Sequence, residues 1–596
     1  MRYLTIIQHG PVQDFIHTAR RTDDYWAGSF LLSYITTHII KKLKDMGGEI
    51  VSPGHDNDPL AMAVLKDAPI KDEALQPSLP NRVIAIVDSQ DADTLKKSLN
   101  KIKNTVLDEI VKLFEKAETT TTGNPAAVSQ EQVKDMFEFY FSFTEYNNSC
   151  YGDLLKEAEN ALAMRKNIRS FNHFIAKGHK CTQCGIREPL RENVSTNTDN
   201  SSRPALINYW KKLRTGNHKY TFKDNERLCA VCAGKRLLRE QFNSGGIPST
   251  STIAISTWLS KIVNTLKDDK INNFIYKLDK KIIPSNGTRV QGNSNKNNIL
   301  FDIEGSCFIS DSYSRFEKDC NDDQKSAVRE AKKALEEMLE GHSKPPKYYT
   351  ILSIDGDSMG KKIRSLNDRE KHKEVSKKLS EFTKYVYETI KSKYHGYVVY
   401  YGGDEGMILL PLSETMDCMN EIRKEFTRQI TSFTLSAGAA IVHHQSPLGR
   451  GLKAANEALR MAKKIEGKNA FSFNIHIRSG SQIFCASPWE INGLDVINYL
   501  KEWNTLYKSD ALSPRWYYQF KVIEPTFQDE RGLYNVELAM NELYHILLRH
   551  TADNKKNDVF ALLEKTKVIH YYPGIGFENF ASMLYTPLFI YRKEEE

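Results

Sequence analysis

Read as runs of apolar and polar positions, the 596-residue chain falls into four blocks, of which residues 347–480 are the clearest. YYTILSI at 348–354 is a short β-rich run that ends in acidic residues. The charged stretch 366–393 has helical periodicity. YVVYYGGDEGMILLPL at 397–412 is two apolar runs about a tight polar turn, a hairpin signal. Residues 414–428 read as a helix, FTLSAGAAIVHH at 433–444 as a strand, and 448–467 as a helix with one apolar face. The order β-α-β-β-α-β is the split ferredoxin-like arrangement.

Residues 1–145 echo that order. YLTIIQ at 3–8 predicts a strand, Pro11 opens a long helix through about 44, 49–64 reads as a hairpin, 82–88 as a strand and 93–117 as a helix. With Gly48 set against Gly396, Gly54 meets Gly402 and Asp56 meets Asp404, which implies an internal duplication. The first copy has Gln8-His9-Gly10 where the second has Asp355-Gly356-Asp357. It lacks the carboxylate at the end of its first strand and is not expected to hold a catalytic metal pair. Residues 146–340 and 486–596 read as helical. Polar, turn-rich stretches at 119–127, 192–204, 243–252, 286–298 and 341–346 punctuate the chain as loops or linkers.

Composition narrows the class. Hydrophobic residues at 40% and charged residues at 27% suit a soluble globular chain. A net charge of +8 permits a nucleic-acid partner without demanding one. No run approaches the length of a membrane span, and the N-terminus has no signal-like apolar region. Nine cysteines, an odd number, with no export signal favour the cytoplasm over a disulfide framework.

Four of those cysteines pair as CTQC (Cys181, Cys184) and CAVC (Cys229, Cys232), with a gap longer than in compact zinc modules. Four thiolates make a closed tetrahedral zinc site, structural in character. An iron–sulfur cluster and a redox dithiol are the alternatives. The other five cysteines read as buried apolar residues.

The second block carries the candidate chemistry. Phosphoryl and nucleotidyl transfer needs charge neutralised on a triphosphate, and magnesium fixed by carboxylates does this. The topology sets Asp355, at the end of the first strand, beside Asp404 at the hairpin tip. Gly402 and Gly403 permit the turn and let a triphosphate approach the backbone. Asp357 faces the same side as Asp355 and reads as a second ligand or a loop cap. Glu405 binds a second metal or supports Asp404. Lys463 is a candidate cation for the triphosphate, with Lys464 equally readable as a solvated face. His443 and His444 read as structural or exposed.

Several motifs together resemble one family. HGPVQDFIHTARRTDDYWAGSFLLSYI, LCAVCAGKR, IDGDSMG, YYGGDEGMILL and SAGAAIVHHQSPLGRGLKAANEALRMAKK resemble, in order, the large subunit of type III-B CRISPR effector complexes, the Cmr complexes. The resemblance spans essentially 1–480. It implies an α+β multidomain chain: two ferredoxin-like palm domains (1–145 degenerate, 347–480 catalytic), a zinc-bearing helical domain (146–340) and a C-terminal helical domain (486–596). It also implies partners: the other Cmr subunits, a CRISPR RNA and a target RNA, with no membrane. Target RNA would switch on a palm that joins ATP into cyclic oligoadenylates.

Carried over, Asp355 and Asp404 hold Mg2+ or Mn2+, Glu405 stands where the family usually has Asp, and Lys463 falls where cyclases of cyclic di-GMP place a phosphate-contacting lysine. Gly356, Asp357, Gly402 and Gly403 would line the nucleotide. Relatives with an HD nuclease begin with it. This chain starts at the palm strand and His55-Asp56 reads as loop, so no HD-type DNase activity is expected. Some relatives without that domain join AMP to S-adenosylmethionine, and Asp56 or other first-palm residues would then line the acceptor pocket. A catalytically silent RNA-binding scaffold, a free-standing diguanylate cyclase and, more weakly, a template-directed polymerase are the other readings. Gly406, where diguanylate cyclases continue with Phe, argues against the second of these, and the lack of a fingers or thumb signature against the third.

Overall fold

The computed structural model describes residues 1–122, 127–147, 150–168, 178–191, 203–214, 221–223, 225–242, 246–279, 282–290, 292, 298–318, 320–478, 480–570 and 576–595. Of the turn-rich stretches, 123–126, 192–202, 243–245, 291 and 293–297 lie outside these. The chain divides into two compact units. The first is Met1–Ile247 with Ser358–Tyr387 and Val399–Gly406; the second is Pro248–Asp357, Glu388–Val398 and Met407–Glu596. The division at Ile247 falls inside the stretch read as 146–340.

The first unit begins with β1 (Arg2–Gly10), α1 (Gln13–His17), α2 (Thr22–Asp45), β2 (Glu49–Ser52), α3 (Pro59–Leu65) and β3 (Arg82–Asp88). It continues with α4 (Ala92–Thr122), α5 (Ala127–Met136), β4 (Glu138–Glu145), α6 (Tyr151–Asn167), α7 (Arg203–Leu213) and α8 (Ala230–Gln241). The sheet order is β2-β3-β1-β4, with β1 antiparallel to both β3 and β4. This is the strand order of a split βαβ fold. Leu4, Ile6, Ile84 and Ile86 present one face to Tyr151, Leu154, Leu155 and Ala158 of α6, so this core runs past residue 145.

Two expectations fail here. The long helix from Pro11 is broken at 18–21, because the Asp24 carboxylate turns back to accept from the Arg20 and Arg21 amides and caps α2. Residues 49–64 are not a hairpin. Only Glu49–Ser52 is a strand, and its partner is β3. Asp58 accepts from the Ala61 amide at 2.8 Å and starts a helix at Pro59 instead. The first sheet thus has a long excursion where the second has a tight turn, and Asp56 has no counterpart role at a hairpin tip.

The second unit opens with α9 (Thr250–Ile262), α10 (Asp268–Lys277), α11 (Tyr313–Phe316) and α12 (Asp322–Met338), packed on a core that includes Trp258, Phe274, Phe308 and Leu335. β5 (Tyr348–Gly356) follows. The stretch 366–393 is helical as read, forming α14 (Arg369–Lys393), with a short α13 (Met359–Ser365) before it; α13 and α14 up to Tyr387 belong to the first unit. Then come β6 (Tyr397–Gly402), β7 (Glu405–Pro411), α15 (Thr415–Gln429), β8 (Leu435–His443), α16 (Leu448–Ala462), β9 (Ala470–His476) and β10 (Gln482–Pro488). The sheet order is β10-β9-β8-β5-β7-β6. Its last four strands repeat the split βαβ order, and β9 joins parallel to β8 through α16. The sheet therefore extends beyond 480, since β10 pairs along its length with β9.

β8 is buried at every position, as a strand covered on both faces must be. Gly438 lets α16 close on it, for a Cβ there would stand 2.0 Å from the Leu459 amide nitrogen. The rest is mainly helical: α17 (Val496–Lys508), α18 (Arg515–Ile523), α19 (Val536–Arg549), α20 (Lys556–His570) and α21 (Phe577–Glu595). No helix among the described residues is long and apolar enough to cross a membrane.

Three buried histidines make the fold acid-sensitive. His9 Nε2 meets Thr36 Oγ1 at 2.8 Å, His372 Nδ1 meets the Tyr151 hydroxyl at 2.7 Å and His444 Nδ1 meets Ser251 Oγ at 2.9 Å. Burial lowers them to about 3, about 4 and about 3 respectively. The unfolded chain takes up these protons near pH 6.5, whereas the folded protein does not. The stability they allow is therefore present above pH 6.5 and lost as pH falls toward the folded values. Urea midpoints at pH 5 are expected well below those at pH 7.5, by up to about 2 kcal/mol per histidine. Equal midpoints would refute this.

Candidate functional site

The site is best built from β5 outward. Its antiparallel register with β8 pairs Asp355 with Ser436 and Gly356 with Leu435, so the acidic end of β5 emerges where β8 begins. Lys463 follows the last residue of α16, and its Nζ lies 2.6 Å from Asp355 Oδ1 and 3.4 Å from the Gly356 carbonyl. Both side chains are partly exposed, at 25% for Lys463 and 32% for Asp355. A cation so held beside a carboxylate suits a phosphate-bearing ligand.

Asp357 differs, although it lies only two residues on. It is 2% exposed. Oδ1 accepts from Ser436 Oγ at 2.8 Å, and Oδ2 accepts from the Asn469 amide at 2.9 Å. Its own amide donates to the Thr434 carbonyl at 2.8 Å. This is the loop-cap geometry: Asp357 ties the end of β5 to the starts of β8 and β9. His443 and His444 are both buried, and the Ser251 contact makes His444 structural.

The glycine turn joins β6 to β7 through Gly403 and Asp404. Gly403 has φ +68°, the left-handed first position that a tight two-residue hairpin needs. Gly402 is required for a different reason. A Cβ there would stand 2.9 Å from the Ser78 carbonyl oxygen and 3.2 Å from Leu79, both backbone. Tyr401 also donates its amide to the Pro77 carbonyl at 3.1 Å. Gly402→Ala is expected to displace the turn, with about 1–2 kcal/mol lost in urea unfolding; a wild-type urea midpoint would exclude this. Gly406 is fixed by Tyr401, whose ring would lie 2.1 Å from a Cβ.

Glu405 Oε1 accepts from the Tyr400 hydroxyl at 2.9 Å and from Gln13 Nε2 at 3.2 Å. Neither partner was expected. Both lie inside quoted motifs, Gln13 in the HGPVQDF segment and Tyr400 at the start of YYGGDEGMILL, but neither was singled out. The turn opens on a cavity of about 330 Å³ whose walls include Ser33, Pro53, Asn81, Met359 and Ser376 besides Gly402–Glu405. Asp56 lies outside it. It lines a separate cavity, with a side chain 79% exposed and 3.9 Å from Lys44 Nζ.

The four cysteines come together. Sγ atoms of Cys181, Cys184, Cys229 and Cys232 all lie within 4.8 Å of one another, the only such ligand group among the described residues. Cys184 Sγ and Cys229 Sγ are 3.8 Å apart, the separation of two sulfurs on a tetrahedral ion with bonds of about 2.3 Å. All but Cys184 are buried. Cys229 also caps α8, accepting from the Cys232 amide. The donor set fits a metal ion held by thiolates. Of the other five cysteines, Cys307, Cys418 and Cys485 are buried and Cys320 partly so, but Cys150 is exposed.

The knuckles grip the joint between α1 and α2. From CTQC, Gln183 Nε2 donates to the Thr18 carbonyl at 3.0 Å, and the Thr182 carbonyl accepts from Arg20. From the turn after CAVC, buried Lys235 donates to the carbonyls of Phe15 at 2.6 Å and Thr18 at 3.0 Å. Arg236 lies between the carboxylates of Asp24 and Glu226, all three buried. Burial alone would raise Asp24 and Glu226, but the Arg236 guanidinium holds both below the ordinary carboxylate range.

Comparison with known proteins agrees with this architecture. Residues 348–472 match the family described as Cas10/Cmr2, second palm domain, and residues 4–115 match CRISPR-associated protein Cmr2, N-terminal. The chain is 24% identical over 556 residues to the CRISPR system Cmr subunit Cmr2 of Pyrococcus furiosus. That alignment takes in 81% of this chain and spans 62% of the relative's length. The fold is similar to that of a chain in a type III-B Cmr-beta complex in the apo state, with TM-score 0.68 and 15% identity, covering 100% of this chain and 82% of that one. A chain of the same kind of complex bound to cognate target RNA gives 0.69 and 14%, covering 100% and 83%. Two Cas10/Cmr2 domain families are thus matched in chain order, at residues 4–115 and 348–472, and a curated Cmr2 is similar along 81% of this chain, which together support its reading as a large Cmr subunit.

Proposed function

We propose that this chain is the nucleotidyl transferase subunit of a type III-B CRISPR complex. Target RNA paired to the CRISPR RNA would switch it on, and it would use ATP to make a nucleotide second messenger. The observation that carries the reading is the partly exposed Asp355–Lys463 pair at the end of β5, in a sheet whose order sets β5 beside β7, the strand that begins at Glu405.

Asp355 and Asp404, with Glu405, are hard oxygen ligands suited to Mg2+ or Mn2+. Such an ion, when bound, neutralises triphosphate charge and aligns attacking and leaving oxygens. Lys463 meets a phosphate as a point cation. Gly356, Gly402 and Gly403 leave the backbone open to the triphosphate, while Asp357 keeps the strand end in place. The acceptor, a second ATP or S-adenosylmethionine, is assigned to the cavity beside Gly402–Glu405. The four thiolates hold a structural Zn2+. The other Cmr subunits and the two RNAs are the partners.

The test is to reconstitute the complex with guide and target RNA and supply ATP with and without S-adenosylmethionine. Mass spectrometry should find either a cyclic oligoadenylate or an adenylyl conjugate, formed only with target RNA. If no product forms, the silent scaffold is the reading that remains. RNA-independent use of GTP would point instead to a diguanylate cyclase.

A further inference from the structure

Gln13 lies far from the glycine turn in sequence, yet its Nε2 donates to Glu405 Oε1. Gln13 is the first residue of α1, a single turn of helix that could not hold a position by itself. What holds it is the opposite end. The Thr18 carbonyl is taken by Gln183 of one knuckle and by Lys235 one turn beyond the other, and Lys235 also takes the Phe15 carbonyl. The Lys235 ammonium further sits 4.6 Å from the centre of the Phe15 ring. Next along, Arg20 is bound to Thr182, and Asp24 is bound to Arg236. Besides its packing on α2, where His17 stacks on Tyr25, the groups that take the carbonyls of this segment, Gln183 and Lys235, are near neighbours of the four cysteines in sequence, as are Thr182 and Arg236.

We infer that Gln13 is a positioning residue for Glu405, and that the two cysteine knuckles set its place by gripping the carbonyl end of α1. A cysteine cluster far from the glycine turn in sequence then acts on that turn through one short helix. The inference rests on the proposed nucleotidyl transfer for its kinetic consequences, but not for its structural ones.

The test uses the reconstituted complex carrying Gln13→Ala, Gln13→Glu, Lys235→Met or Gln183→Ala. Gln13→Ala is expected to lower kcat about fivefold, the effect of one hydrogen bond, with KM for ATP little changed. Gln13→Glu keeps the size of the side chain but removes the donor and sets a second carboxylate against Glu405, so it should fall roughly tenfold or more. A role in packing alone would leave Gln13→Glu near wild type and would overturn the inference. Lys235→Met, or Gln183→Ala if the former fails to fold, should lower kcat and add nothing to Gln13→Ala in the double variant. Full additivity would overturn the link to the knuckles. Hydrogen exchange at the amides of 402–406 gives an answer independent of turnover. It should quicken in every variant, and unchanged exchange would refute the inference even if the wild-type complex makes no product, an outcome that would count against the proposed function alone.

Discussion

Asp355→Asn is expected to reduce product formation by about 10³-fold or more while leaving the melting temperature unchanged. The side chain is partly exposed and pairs with Lys463, so the fold does not depend on its charge. Asp357→Asn should do the reverse. That carboxylate is buried and accepts from Ser436 and from the Asn469 amide, and an amide in its place would set a donor against a donor. A loss of about 2 kcal/mol of stability is expected, with residual activity in whatever fraction remains folded. Thermal melts and turnover measured on both variants separate the two roles. If Asp357→Asn were inactive yet fully stable, Asp357 would be a ligand. If Asp355→Asn were active, the enzymatic reading would be lost.

Arg236→Ala is expected to cost about 3–5 kcal/mol, enough to unfold the first unit at moderate temperature. The guanidinium is the charge partner of Asp24 and Glu226, both of them buried. Removing it strands two carboxylates that burial would push to their neutral forms. In the wild type the direction is set by Arg236: both carboxyls lie below their ordinary range, so their contribution is complete above about pH 4–5 and is lost only as the pH falls through the lower folded values. In Arg236→Ala the sign inverts, since the stranded acids would rather be protonated. The variant should therefore gain stability on moving from pH 7.5 to 5.5, relative to wild type. Denaturant unfolding at both pH values checks this, and parallel curves would refute it. Because Arg236 follows the second cysteine pair by one turn, Cys229→Ser should also loosen this joint, read as protease cleavage near residues 18–21 and, if the proposed zinc is held there, as a lower metal content.

The order of elements was legible from periodicity wherever an element buries one face and has a clear turn at its end. Residues 397–411 form the hairpin that two apolar runs about Gly-Gly predict, and β8 and α16 fall where apolar periodicity puts them. The four cysteines announced their cluster, since C-x-x-C pairs have few other uses. Local rules failed where a competing local interaction won. The break at 18–21 follows from the Asp24 side chain, which prefers to cap α2, and a helix starts at Pro59 because Asp58 caps it. The sequence offered a hairpin at 49–64 because it shows runs of apolar residues, not their partners.

What residues alone determined about this protein is therefore its chemistry-bearing groups, acidic strand end, glycine turn and paired cysteines, and the order of strands and helices from β5 to α16. These are local matters of side-chain type, spacing and backbone freedom. Only tertiary structure decided which carboxylate is accessible and which is consumed, as Asp355 and Asp357 show. It also decided that the knuckles clamp the first helix joint, and that Gln13 meets Glu405. Burial and hydrogen-bond partnership are properties of surroundings brought together from distant parts of the chain, and no periodicity encodes them.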